Sequence, residues 1–192
     1  MQTLRTITLT LLLGVWGVLP ASAQASEATW QALQAGGLVI LMRHALAPGI
    51  GDPPGFELSE CDTQRNLSAE GRAQAEAIGR ALREREVPIE AVYTSRWCRA
   101  RDTANLLALG SVTPAPWLDS FFRERSEQRA RTQAARERIL AWQGPGNLLM
   151  VTHQVNITAL TGSGVGSGEM IVVRPEEDGI NVIGRLQAGS PR

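Results

Sequence analysis

Lysine is missing from the sequence altogether: the 19 basic residues are all arginines, balanced by 19 acidic ones. The resulting net charge of zero argues against nucleic acid or an anionic membrane surface as the main partner, since both select for excess positive charge. Internal repeats and low-complexity blocks are absent. No cluster of Cys, His and acidic residues has metal-ligand spacing, so no metal and no other cofactor is expected. Cysteine is scarce, at two residues. The stretch Cys98-Arg99-Ala100-Arg101-Asp102-Thr103 lacks the glycine-rich loop that would cradle a phosphate around a thiolate, and Cys98 is not read as a nucleophile.

Histidine is equally scarce, and its placement is informative. Leu38-Val39-Ile40-Leu41-Met42 is an uninterrupted apolar run, bounded by Gly36-Gly37 and by Pro48-Gly49, and it runs directly into Arg43-His44. Such a run is short for a helix and suits a strand buried on both faces. The only other histidine, His153, closes a second run of the same kind, Leu148-Leu149-Met150-Val151-Thr152, which starts after Gly144-Pro145-Gly146. Ligands of open α/β sheets bind beyond the carboxyl ends of the strands. If the two runs are parallel neighbours, both imidazoles converge there.

The first residues read as an export signal. Arg5 supplies a positive start, Ile7 to Leu19 an apolar core, and Ala21-Ser22-Ala23 a small-x-small cleavage pattern, with an uncleaved N-terminal anchor as the alternative. The expected organisation is a signal peptide over 1–23 and a single domain over 24–192, periplasmic or secreted. Two cysteines in an exported chain suggest a Cys61–Cys98 disulfide, with buried free thiols as the alternative.

Along the chain, Ser26 to Ala35 reads as a short amphipathic helix packing through Ala28, Trp30 and Leu33. Residues 47–65, rich in Gly and Pro, form a loop long enough to suggest a role over a site, with Arg65 its best substrate contact. Ser68 caps a helix that ends before Pro88. Ile89 to Tyr93 is a strand, and a helix follows over about Trp97 to Leu109. Trp117-Leu118 suggests a short edge strand. A long helix from about Ser126 to Trp142 carries many arginines and glutamates, simplest as a solvated face with i,i+4 pairs. A short helix follows His153, and Glu169 to Val173 with Asn181 to Leu186 read as a hairpin. The alternation predicts an α/β fold, a three-layer α/β/α sandwich with a mainly parallel sheet and a C-terminal β-hairpin.

Four segments, in order, resemble the histidine phosphatase superfamily, which includes the phosphoglycerate mutases: Met42-Arg43-His44-Ala45, Leu67-Ser68-Ala69-Glu70-Gly71-Arg72-Ala73, Tyr93-Thr94-Ser95-Arg96-Trp97-Cys98-Arg99-Ala100, and Val151-Thr152-His153. The resemblance implies metal-independent phosphoryl transfer through a phosphohistidine. His44 would be the nucleophile, with Arg43, Arg99 and His153 around the phosphoryl oxygens. Imidazole is a good nucleophile near neutral pH, and guanidinium forks pair with phosphate oxygens. Ala45 stands where the family has glycine. The general acid is open between Glu124 and Asp119, because Ser120 occupies the place where the family's glutamate would fall and Gln154 follows the second histidine. Arg96 is a further substrate contact or an exposed surface residue, and Asn156 lies beside the site or caps a helix. Chain length and export signal resemble the small periplasmic branch with lipopolysaccharide core heptose phosphatase-like proteins. The implied function is a phosphomonoesterase for a small-molecule or glycolipid phosphate ester such as a sugar phosphate, with no obligate protein partner. The alternative is a catalytically weak phosphate-binding protein.

Overall fold

The computed structural model describes residues 21–177 and 179–188. The apolar segment of the expected export signal lies outside the described residues. The first helix, α1, spans Ala21–Ala35. It is longer than expected, and the anticipated cleavage point after Ala23 falls within it. Among the described residues no helix is long and apolar enough to cross a membrane.

The remaining elements are β1 (Val39–Arg43), α2 (Ala69–Glu84), β2 (Ile89–Thr94), α3 (Cys98–Leu107), β3 (Val112–Pro114), α4 (Gln128–Leu140), β4 (Asn147–Thr152), α5 (Gln154–Thr161), β5 (Met170–Glu176) and β6 (Gly179–Leu186). The sheet order is β3-β2-β4-β1-β5-β6. The first four of these strands are mutually parallel; β5 runs antiparallel to β1, and β6 forms the C-terminal hairpin with it. The two apolar runs that end in histidine are direct neighbours, with Arg43 opposite Thr152.

The two-residue period of a strand sorts each run between two cores. Ile40 and Met42 of β1, with Leu149 and Val151 of β4, face Trp30 and Leu33 of α1, Ile78 and Leu82 of α2, and Leu107 of α3. Val39, Leu41, Leu148 and Met150 face Ile139 of α4 and Ile157 of α5. This is the expected three-layer sandwich. Both strands are apolar through their middle, Val39 to Met42 and Leu148 to Val151, because both faces are covered.

Local signals account for the helix placed next to the site. The Ser68 hydroxyl accepts from the Gly71 N–H at 3.1 Å, an N-cap that starts α2. A Cβ at Gly71 would lie 2.0 Å from the Leu46 carbonyl oxygen. Only glycine lets α2 lie against the segment that follows His44.

Several expectations need correction. Pro116–Leu118 is a turn of 3₁₀-helix rather than an edge strand, and Leu118 is buried in the core that holds Val39, Leu41 and Ile139. The edge strand is Val112–Pro114 instead. Ala28 is exposed, leaving Trp30 and Leu33 to anchor α1. Helix α3 begins only at Cys98, with Trp97 at its N-cap, so Arg96 precedes it. On α4 one i,i+4 ion pair is present among the described residues, Glu127 with Arg131 at 3.7 Å, so most of its arginines are not balanced on their own helix.

Candidate active site

The carboxyl ends of β1, β2 and β4 bring Arg43, His44, Ser95 and His153 into one place. His44 leaves β1 with its N–H donating to the Thr152 carbonyl at 3.0 Å. The rings of His44 and His153 lie 5.4 Å apart at 66°. Both line a cavity of about 950 Å³, with Arg43, Arg65, Arg96 and Arg99 also on its walls.

His44 Nδ1 is 2.8 Å from the carbonyl oxygen of Ala45. A carbonyl only accepts, so Nδ1 carries the proton and the lone pair is on Nε2, the nitrogen with no hydrogen bond in the protein. Burial foremost, together with the charges of Arg99, Arg43 and Arg65, lowers the His44 pKa to about 3 against the Ala45 hydrogen bond. The imidazole is therefore neutral at physiological pH. Ala45 itself has no positive φ among the described backbone. A methyl group in place of the family's hydrogen costs no strain there, and its N–H is held by Thr103 Oγ1 at 3.0 Å.

Three guanidinium groups surround the pair. Arg99 is buried on α3 and clasps Asp52, with Nη1 2.6 Å from Oδ1 and Nη2 3.2 Å from Oδ2. Arg65 donates through Nε to the Gly51 carbonyl at 2.9 Å and through Nη1 to that of Ala47. Arg43 donates from Nη1 to the Val165 carbonyl at 2.9 Å. Burial first, then the Arg99 charge, lowers the pKa of Arg43 and brings that of Arg65 to about 10. Three positive charges against one carboxylate leave two, matching a phosphate monoester dianion. The Nε groups of Arg43 and Arg99 are buried without partners, unused donors in an electropositive centre.

His153 is placed by a chain of polar side chains. Its Nε2 is 2.8 Å from Ser95 Oγ, which donates to Asp119 Oδ1 at 3.2 Å. Asp119 is fully buried and forms an ion pair with Arg96, Nη2 to Oδ2 at 2.6 Å. Burial, with the neighbouring positive groups second, keeps the His153 pKa well below its ordinary value. Asn156 donates to the Asp119 carbonyl at 3.0 Å and so braces the site rather than capping α5.

The expected site residues thus assemble around one cavity, and Glu124 lies on its rim. Asp119 is engaged on all sides and is not free to protonate a leaving group. Of the three acidic residues on the cavity wall, Asp52 and Asp119 are ion-paired. Glu124 has neither an ion pair nor a side-chain hydrogen bond among the described residues. Arg96 is half committed to Asp119 and half exposed. Cys61 and Cys98 are joined in a disulfide that ties the long loop to the first residue of α3.

Sequence reasoning missed Asp52, Ser95 and Trp97. Trp97 packs its ring 5.5 Å from that of His153 and donates its indole N–H to Asp52 at 3.1 Å. Asp52 lies in a stretch of Gly and Pro with no periodicity, and its only signal was the length of that loop.

Residues 39–126 match the model of the histidine phosphatase superfamily, branch 1. Over that span the chain is similar to the histidine phosphatase superfamily. The matched span holds Arg43, His44, Arg65 and Arg99 and stops before His153, which the parallel pairing of β1 and β4 adds. Solved histidine phosphatase folds superpose on it. The protein histidine phosphatase SixA complexed with tungstate has a TM-score of 0.54 at 16% identity, over 78% of this chain and 96% of that one. A mycobacterial glucosyl-3-phosphoglycerate phosphatase complexed with VO3 gives 0.56 at 17%, over 80% and 99%. A phosphoserine phosphatase mutant from Entamoeba histolytica, in complex with phosphoserine, gives 0.56 at 12%, over 80% and 96%. At these identities the likeness is one of fold. No curated protein matches the sequence.

Proposed function

We propose that this chain is an exported, metal-independent phosphomonoesterase that works through a phosphohistidine on His44. The observation that carries the reading is the 2.8 Å contact of His44 Nδ1 with the Ala45 carbonyl, which leaves Nε2 as a buried, unprotonated nucleophile beside three arginines. Nε2 forms a bond to phosphorus as the bond to the ester oxygen breaks. Arg43, Arg65 and Arg99 hold the phosphoryl oxygens, His153 joins them when the bound dianion protonates its ring, and the Ala45 carbonyl stabilises the charge that develops on the His44 ring. Glu124 gives its proton to the leaving oxygen. A water then attacks phosphorus, Glu124 takes the proton back, and inorganic phosphate leaves as the N–P bond breaks.

The substrate in this reading is a small or envelope-derived phosphate ester, such as a sugar phosphate, which a cavity of about 950 Å³ accommodates. The periplasmic branch with lipopolysaccharide core heptose phosphatase-like proteins remains the source of that analogy. A leader over 1–23, a single domain over 24–192 and a periplasmic or secreted location are parts of the same proposal, supported by the disulfide. A second reading, a phosphate binder with weak turnover, draws on one observation: Glu124 is exposed and unbraced, so its aim at a leaving group is not built in.

Hydrolysis of an aryl phosphate from pH 4 to 8, wild type beside His44→Ala, tests the proposal. Turnover that disappears in the variant, with an acid-labile phosphoenzyme trapped only in the wild type, is the expected result. Equal turnover in both proteins sinks the nucleophile assignment. Phosphate binding without turnover in either selects the binder.

A further inference from the structure

The α4 arginines have a use that the catalytic cavity does not absorb. Arg125, Arg129 and Arg136 line a groove of about 460 Å³ along the outer side of α4, together with Thr132 and Gln133. Positions 129, 132, 133 and 136 share one face of α4, and Arg125, in the 3₁₀ turn Arg125–Glu127 just before the helix, lines the same groove. No acidic residue lines the groove, and none of the three arginines has an ion pair among the described residues. Two acidic side chains at and on α4 are occupied elsewhere: Glu127 pairs with Arg131 and Glu137 accepts from Gln133. The Thr132 hydroxyl, in the wall of the groove, is buried with no partner.

This groove adjoins the catalytic cavity. Arg125, Gln128 and Ala159 belong to both walls. Arg125 sits over the Phe122 ring at 5.9 Å at that junction. Three unpaired guanidinium groups repel one another at such spacing, and a chain with no net charge gains nothing general from collecting them. A polyanion seated between them removes the repulsion and makes charge-assisted hydrogen bonds.

We infer that the groove is a second anion subsite and that the substrate carries a second phosphate. The ligand class is a carbohydrate-sized phosphate monoester with another phosphate on the same body. One phosphate lies at His44, Arg43, Arg65 and Arg99, and the other at Arg125, Arg129 and Arg136. The inference rests on the phosphatase reading for the position of the first phosphate, but its test reads binding alone.

Calorimetric titration of the His44→Ala protein, which removes the nucleophile, compares glucose 6-phosphate with glucose 1,6-bisphosphate. The bisphosphate is expected to bind at least about tenfold more tightly, as two or more charge-assisted contacts would give. In the background of Arg129→Ala with Arg136→Ala, that preference should fall below about threefold, with the melting temperature confirming an intact fold. Equal binding of the two sugars, or a preference that survives both substitutions, overturns the subsite. Failure of the phosphatase reading is separate: it appears as no turnover of any monoester by the wild type, whatever the titrations give.

Discussion

Arg99 and Asp52 meet as a buried two-point ion pair, 2.6 and 3.2 Å between their nitrogens and oxygens, across 47 residues of chain. The same carboxylate accepts the Arg65 N–H at 3.1 Å and the Trp97 indole at 3.1 Å. Although burial opposes its charge, these donors, Arg99 foremost, hold the Asp52 carboxyl below its ordinary range. One loop residue thereby fixes the direction of a helix arginine, the main chain of a second arginine and the ring beside His153.

Replacing Asp52 with Ala leaves a buried guanidinium unpaired. Breaking such a pair costs about 3–5 kcal/mol, which urea denaturation will read. Turnover should also fall about tenfold or more as Arg99 loses its orientation. A loss of under 1 kcal/mol would mean that solvent or the Arg65 carbonyl, which accepts from Arg99 Nη1 at 3.2 Å, takes over the role.

Stability should fall as the solution is acidified from about pH 6.5 towards 3. The unfolded chain protonates each histidine near 6.5, whereas the fold delays His44 to about 3 and His153 to well below its ordinary value. In that window the unfolded state binds more protons, so acid favours it, by up to about 1.4 kcal/mol per pH unit for each histidine. Asp52, depressed in the fold, adds a further loss below its ordinary value of 3.8. Denaturation midpoints that stay level between pH 7 and 4 would contradict the buried, neutral pair.

The general-acid role of Glu124 separates substrates by leaving group. Glu124→Gln should slow hydrolysis of an alkyl phosphate by about a hundredfold or more, and that of a nitrophenyl phosphate far less, because the better leaving group needs no proton. An equal loss with both esters would assign Glu124 to binding instead.

Reduction should uncouple the loop from α3. The disulfide closes a sequence separation of 37, which in the chain-entropy account contributes about 4 kcal/mol. A lowered melting temperature with reductant, and weakened phosphate binding because Cys98 adjoins Arg99, are expected. An unchanged melt would show that the Gln64 contacts to Cys98 and the loop suffice.

The sequence alone specified everything that depends on periodicity and on chain ends. Two apolar runs of strand length, each closed by histidine, encoded the central pair β1 and β4, because a strand covered on both faces must be apolar throughout. Ser68 encoded the start of α2 through a cap. Those local rules placed Arg43, His44 and His153 at one sheet edge, and the family resemblance added Arg99. Tertiary structure decided which partners they meet there. Asp52 became the anchor of Arg99, Asp119 left the list of acids for a buried pair with Arg96, and the α4 arginines that looked like a solvated face turned out to have too few acids beside them. The physical reason is that charges and loop carbonyls choose partners by distance in space, and a stretch of Gly and Pro carries no period from which that distance can be read.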